Sequence, residues 1–128
     1  MARYGYDLHG VIDKRVDFYL GYFETLIKEG NEIWVVSGPP AEQIKKELAN
    51  LGFKEKQHFT GIVSVVDFLK AQDAKMWTDY KDTWWASDED WWSAKAKICQ
   101  KYEVEVMFDD KGRYAPYFDA IGIKFELI

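Results

Sequence analysis

The sequence predicts an α/β fold of three layers, in which helices cover both faces of a mainly parallel central sheet. Short apolar segments rich in β-branched residues alternate with segments in which apolar residues recur every three or four positions. That alternation is typical of parallel strands joined by right-handed helical crossovers. The chain has 128 residues, of which 48% are hydrophobic, so it is long enough for one such core and too short for two. We therefore expect a single domain over residues 1–128.

The N-terminal half contains the clearest elements. Residues 3–7 (RYGYD) alternate and predict a first strand that ends in an aspartate. Apolar residues at helical spacing over residues 13–29 predict a helix, which a following glycine ends. The uninterrupted apolar segment at residues 33–37 predicts a strand buried on both faces. A Gly-Pro-Pro sequence ends that strand and begins a second helix over residues 40–51.

The middle of the chain is less regular. Residues 59–63 predict a third strand, and Ser64 is a suitable N-cap for a short helix after it. Within residues 75–86, two short aromatic segments flank an acidic turn, a pattern that favours a β-hairpin. His58 lies in a polar stretch, and we expect it in an exposed loop.

The C-terminal part predicts one helix and two strands. Ser87 has an acidic residue three positions later, which resembles a capping box and predicts a helix over residues 88–101. Residues 103–108 (EVEVMF) alternate and then become apolar, which predicts a buried strand ending at Asp109-Asp110. A last strand is expected over residues 121–127.

Aromatic residues make up 17% of the chain, and five of the six tryptophans lie between Trp77 and Trp92. They belong to a Trp-rich insertion over residues 73–92 that has no core of its own. Three roles are open: packing against the main core, a flat platform for a substrate, and a surface for a partner. We expect core packing. Since adjacent helical residues point about 100° apart, one of Trp91 and Trp92 should be buried and the other near the surface.

Charge and composition exclude several classes of protein. The formal net charge is -5, so the chain offers no basic field for a nucleic-acid backbone. No apolar run is long enough for a membrane span or a signal peptide. The single cysteine, Cys99, forms no intrachain disulfide, and we expect it to be a small buried residue. We expect a cytoplasmic protein without membrane partners.

Polar residues follow three of the predicted strands. Asp7, Ser37 and the pair Asp109-Asp110 each stand at a strand's C-terminal end, where Rossmann-like sheets bind their ligands. The carboxylates suit Mg²⁺, and Ser37 with Gly38 suits an anion beside a helix start. A lysine, Lys95 or its neighbour Lys97, would reach the same edge. The sequence therefore predicts a site for a metal ion and a phosphate.

Four segments resemble the motifs of the haloacid dehalogenase (HAD) superfamily. They are DLHGVID after the first strand, VVSG at the end of the second, Lys95 before the helical segment Ala96–Tyr102, and VEVMFDD. The resemblance spans Tyr6 to Asp110. The family's first motif reads Asp-x-Asp-Gly-Thr/Val, and here His9 stands at the position of the second Asp. The spacing from the lysine to the Asp pair is similar to that of the family's small nucleotidase-like members.

The resemblance implies a phosphomonoester phosphatase, a Mg²⁺-dependent hydrolase that works through an aspartyl-phosphate on Asp7. Its substrate would be a small phosphorylated molecule, nucleotide-like compounds included. The implied metal set is Asp7, the backbone carbonyl of His9, Asp109 and Asp110. The implied catalytic set is Asp7, His9, Ser37 and Lys95, and the implied phosphate-binding set is Ser37, Gly38 and Lys95. The insertion is too short for a separate cap domain, so we expect an open site.

His9 leaves a second function open. An imidazole can donate a proton to a leaving group, as the family's carboxylic acid does. The alternative is a HAD-like module without turnover, which binds a phosphorylated ligand or a protein partner. Retention of the other polar positions favours the enzyme.

Overall fold

The computed structural model describes residues 1–128 and contains seven strands. They are β1 (Arg3–Tyr6), β2 (Glu32–Ser37), β3 (Gly61–Ser64), β4 (Met76–Thr78), β5 (Trp84–Ala86), β6 (Val106–Asp109) and β7 (Lys124–Leu127). Five of them form the central sheet in the order β3-β2-β1-β6-β7, and every pairing in it is parallel. The predicted α/β class with a parallel central sheet is confirmed.

Five α-helices connect the strands. They are α1 (Val16–Lys28), α2 (Ala41–Asn50), α3 (Val65–Ala71), α4 (Asp88–Lys101) and α5 (Ala115–Asp119). Short 3₁₀ turns lie at Ile12–Lys14 and Gly112–Tyr114. Ser64 and Ser87 cap α3 and α4, since each side chain accepts a hydrogen bond from an N–H three residues later.

Side chains of β2 show how the sheet separates two apolar clusters. Ile33 and Val35 belong to a cluster with the buried residues of α1 and α2. Val36 belongs to the other cluster, formed with α3, α4 and α5, and Trp34 packs against it. Because successive strand residues point to opposite faces, an uninterrupted apolar strand supplies both clusters. The helices thus cover both faces of the sheet.

Several boundaries differ from the sequence prediction. The first helix starts at Val16 rather than at residue 13, because the chain first makes the 3₁₀ turn. The strand expected at residues 103–108 begins at Val106, since Glu103 has a φ of 57° and interrupts extended backbone. The last strand is confined to Lys124–Leu127, and α5 before it was not predicted.

The Trp-rich insertion contains the predicted hairpin, in which β4 and β5 pair antiparallel. Trp77 and Trp85 stand opposite each other, and each is 49% exposed. Trp91 and Trp92 are both half-buried, so the expected contrast between them is wrong. Both flank the buried face of α4 and pack against the second cluster from its margin. Core packing therefore describes only part of this aromatic group.

His58 is buried, which contradicts the exposed loop expected for it. Its Nδ1 accepts a hydrogen bond from the Lys54 N–H at 2.9 Å, and its Nε2 lies 3.6 Å from Glu24 Oε2. The Phe53 ring packs edge-on against the imidazole. Burial holds the pKa of His58 below its ordinary value, although the Glu24 carboxylate acts in the opposite direction.

No helix in the fold is both long enough and apolar enough to cross a lipid bilayer. Cys99 is buried and unpaired, as expected.

Candidate active site

Three neighbouring strands bring the predicted polar residues to one edge of the sheet. β1 lies between β2 and β6, so Asp7, Ser37 and Asp109 meet at the strands' C-terminal ends. All three are buried. The Asp7 N–H donates to the Phe108 carbonyl at 3.1 Å, which continues the β1–β6 pairing up to the site. A cleft of about 250 Å³, here called the site cleft, opens there between these strand ends and α4.

Lys95 reaches this edge from α4. Its Nζ lies 2.6 Å from Asp109 Oδ2 and 3.4 Å from Asp7 Oδ2, and the side chain is only 2% exposed. The Tyr114 ring lies beside the ammonium, with its centroid 4.5 Å from Nζ. Lys97 is exposed, so Lys95 is the lysine that lies at the cleft.

The buried charges shift each other's protonation. Burial disfavours the Lys95 ammonium, but nearby carboxylates, chiefly Asp7, outweigh it, and the pKa of Lys95 lies above its ordinary value. Burial also raises the pKa of Asp109 above its ordinary value, because removal from water disfavours the anion; the Lys95 ammonium opposes this rise. The lysine is therefore charged at neutral pH.

The Ser37 hydroxyl is a polar group of the cleft that lacks a hydrogen-bond partner. Its side chain is buried, and its Oγ has no hydrogen-bond partner. Pro39 and Pro40 after it carry no N–H, and the Ala41 N–H donates to Asp67 Oδ2 at 3.0 Å. The anion-binding capacity expected at this helix start therefore rests on Ser37 and Gly38. A buried hydroxyl without a hydrogen-bond partner lowers the stability of the fold. A ligand oxygen in the cleft would supply that partner.

Three carboxylates form a cluster that fits a hard cation. Asp7, Asp109 and Asp110 each bring an oxygen to within 4.8 Å of the others. Gly10 has a φ of 87°, and a Cβ on it would overlap the Asp110 carboxylate. A glycine at position 10 thus lets Asp110 approach the first loop. Oxygen donors at such spacing suit Mg²⁺, which takes few protein ligands and keeps several waters.

His9 also lines the site cleft, but its side chain faces the rim. Its Nε2 lies 2.7 Å from Glu47 Oε2 on α2. It does not join the carboxylate cluster through its imidazole. The pairing leaves Nδ1 as the ring nitrogen that is not engaged by Glu47.

Sequence reasoning missed two further residues of the site. Glu47 lies 38 positions from His9, and only the packing of α2 beside the first loop brings them together. Tyr114 is buried against Lys95 from the 3₁₀ turn after β6. The sequence indicated only that Tyr114 lies four residues after Asp110. In an irregular segment after a strand, the sequence does not show which side chain points into the site.

Neither a comparison with protein-family models nor a search of curated proteins finds a match for this chain.

Proposed function

We propose that the protein is a Mg²⁺-dependent phosphoryl-transfer hydrolase that acts on small phosphomonoesters, with Asp7 as the nucleophile. The observation that carries this proposal is the buried Ser37 hydroxyl without a partner. It lines one small cleft together with the Asp7 carboxylate and the Lys95 ammonium. A phosphoryl group has oxygens to accept from the hydroxyl and the ammonium, and a phosphorus atom for the carboxylate to attack.

The charge of the site supports an anionic substrate together with a cation. The buried carboxylates of Asp7 and Asp109 and the ammonium of Lys95 sum to one negative charge. A dianionic phosphate would be repelled by that balance. With the Asp110 carboxylate counted, the sum is two negative charges. Mg²⁺, which Asp7, Asp109 and Asp110 would hold, would bring the sum to zero and would polarise the phosphoryl oxygens.

The protein's own residues then have distinct roles. Asp7 forms a bond to phosphorus as the bond to the leaving oxygen breaks, and His9 gives that oxygen a proton. Water next attacks the aspartyl-phosphate, which frees Asp7 and inorganic phosphate. Ser37 and Lys95 hold the transferring oxygens, and such positioning and charge stabilisation account for most of the catalysis in phosphoryl transfer.

We also propose that the fold is HAD-like, because four sequence segments resemble the motifs of that superfamily. Asp7, Ser37, Lys95 and Asp109 occupy the positions at which the resemblance places the family's nucleophile, hydroxyl, lysine and metal-binding acid. We expect the site to be open to substrates, since the β4–β5 hairpin is too short to form a separate cap domain.

Hydrolysis of an aryl phosphate with and without Mg²⁺ tests the proposal. We expect Mg²⁺-dependent release of phosphate, abolished in Asp7→Asn and retained in Asp17→Asn, which removes an exposed carboxylate of α1. Acid quenching should trap phosphate on the wild-type chain and not on Asp7→Asn. A rate that is unchanged in Asp7→Asn would overturn the proposal.

The second candidate is a HAD-like module that binds a phosphorylated ligand without turnover. The contact between His9 Nε2 and Glu47 favours it, since that pairing engages the residue at the acid–base position. His9→Asp separates the two functions. An enzyme that lacks an efficient acid should gain activity in this variant, on the order of 10²-fold or more. A binding module should show calorimetric binding of inorganic phosphate with Mg²⁺ but no turnover in either form.

A further inference from the structure

A second cleft, of about 370 Å³, adjoins the site cleft. It lies between the β4–β5 hairpin and the turn Gly38–Pro40, and we call it the hairpin cleft. The two clefts share Gly38, Pro39 and Trp91. A molecule whose phosphate lies beside Ser37 can therefore extend past Trp91 into the hairpin cleft.

Flat apolar rings form part of the wall of the hairpin cleft. Trp84 and Trp91 contribute indole rings, Pro39 and Pro40 contribute pyrrolidine rings, and Val66 is apolar as well. Trp84 is half-buried, and the Lys70 ammonium lies 3.7 Å from the centre of its ring. Such surfaces favour planar ligands through stacking.

Gly38 sets the position of Trp91. A Cβ on Gly38 would lie 3.2 Å from Trp91 Cζ2 and 3.5 Å from Cη2. The indole thus packs directly on the backbone that follows Ser37. A side chain at position 38 would press on the ring at the junction of the two clefts, and the ring would have to shift slightly.

The polar rim of the hairpin cleft is built by one carboxylate. Asp79 Oδ1 accepts from the N–H groups of Lys81 and Thr83 at 2.8 and 3.0 Å, and Asp79 Oδ2 accepts from Trp85 Nε1 at 2.9 Å. These bonds lower the pKa of Asp79, chiefly the one from Trp85. The ordered turn presents Lys81, Asp82 and Thr83 to the cleft, opposite Gln43 of α2. Donors and acceptors are therefore available at the edge of a stacked ring.

We propose that the hairpin cleft binds a planar aromatic ring in the leaving group of the phosphomonoester. This inference rests on the proposed function, because it assigns the cleft to the part of the substrate beyond the phosphate. Two sources share the chemistry, a nucleobase and an aryl group. Rings of Trp84, Trp91 and the two prolines line the cleft beside polar residues of the hairpin turn and Gln43, so a sugar phosphate without an aromatic ring would leave the indoles without a stacking partner.

Three substrates with alkyl leaving oxygens test the inference: uridine 5′-monophosphate, benzyl phosphate and ribose 5-phosphate. We expect kcat/KM to be higher for a ring-bearing ester than for ribose 5-phosphate by about 5- to 100-fold, the range that stacking on an aromatic side chain supplies. Trp84→Leu should remove most of this preference, because it should lower kcat/KM for the ring-bearing esters more than for ribose 5-phosphate. Trp84→Phe should restore part of it. The matched control is Trp77→Leu, which removes a half-exposed indole of the same hairpin that does not line the cleft.

The arms of the experiment separate the possible outcomes. A preference for uridine 5′-monophosphate alone identifies a nucleobase, and a preference for benzyl phosphate alone identifies an aryl group. Equal kcat/KM for all three esters, or equal losses in Trp84→Leu and Trp77→Leu, would overturn the inference while leaving the phosphatase intact. If the wild type turns over none of them, calorimetric binding of the same three compounds with Mg²⁺ decides; the proposed function itself fails if the aryl phosphate is not hydrolysed either. Equal affinities for the ring-bearing esters and ribose 5-phosphate would then overturn the assignment of the hairpin cleft too.

Discussion

Replacing Lys95 by Met removes a buried charge and nearly preserves the shape of the side chain. The lysine is 2% exposed and lies within 3.4 Å of two carboxylates. Lys95→Met therefore leaves Asp7 and Asp109 as buried anions without their shared cation. We expect a large loss of stability, because the wild-type carboxylates depend on this ammonium for charge compensation.

The size of that loss follows from the burial of the pair. Removing one partner of a buried ion pair costs about 3–5 kcal/mol, since the remaining charge stays out of water without compensation. Lys97→Met is the matched control. It makes the same substitution on the same helix at an exposed position, where a change is usually within about 0.5 kcal/mol.

Urea unfolding followed by tryptophan fluorescence measures both variants. The cost of Lys95→Met should shrink as the pH falls toward 4, because protonation of Asp109, whose pKa burial raises, removes one uncompensated charge. Adding Asp109→Asn to Lys95→Met should recover part of the stability, since one of the two anions is then gone. Equal and small losses in Lys95→Met and Lys97→Met would refute the buried ion pair.

Three further outcomes are expected. Asp109→Asn should weaken Mg²⁺ binding in calorimetry, and an unchanged affinity would exclude Asp109 as a ligand. Gly10 and Gly30 both have a φ of 87°, but only at Gly10 would a Cβ meet the Asp110 carboxylate. Both Gly10→Ala and Gly30→Ala should lose about 1–2 kcal/mol of stability from backbone strain. Only Gly10→Ala should also lose Mg²⁺ affinity. Burial lowers the pKa of His58 in the folded protein, so the imidazole is protonated in the unfolded chain before it is protonated in the folded one as the pH falls below about 6.5. The stability of the wild type should therefore fall relative to that of His58→Asn between pH 7.5 and 5.5. Parallel plots of stability against pH for the two proteins would contradict this.

The sheet was predictable because its strands carry their own signal. The segment IWVVS is apolar at every position but the last, which is typical of a strand buried on both faces. The polar residues at the strand ends could be placed together for the same reason, since a parallel sheet collects the C-terminal ends of its strands at one edge. Local pattern and topology were sufficient for these features.

The features that were missed depend on contacts between distant residues. His58 is buried by Glu24 and Phe53, and nothing in its polar neighbourhood indicates such partners. Trp91 and Trp92 are adjacent on one helix, but each meets a different neighbour, Gly38 and Tyr114. Such burial is decided by packing, which periodicity does not describe.

The position of β6 beside β1 has a consequence for how the molecule is made. Gly5 pairs with Met107, so the two central strands are separated by most of the chain. A contact of such long range closes slowly, because the entropy of the intervening loop is lost before the pairing stabilises it. During synthesis β1 and β2 emerge early, while the partner of β1 on its other side emerges only after α4. Until then Asp7 has neither Asp109 nor Lys95 beside it, and the nascent chain displays an unpaired strand edge of the kind that promotes association. The charged site is thus completed only when α4 and β6 have joined the part of the sheet that forms first.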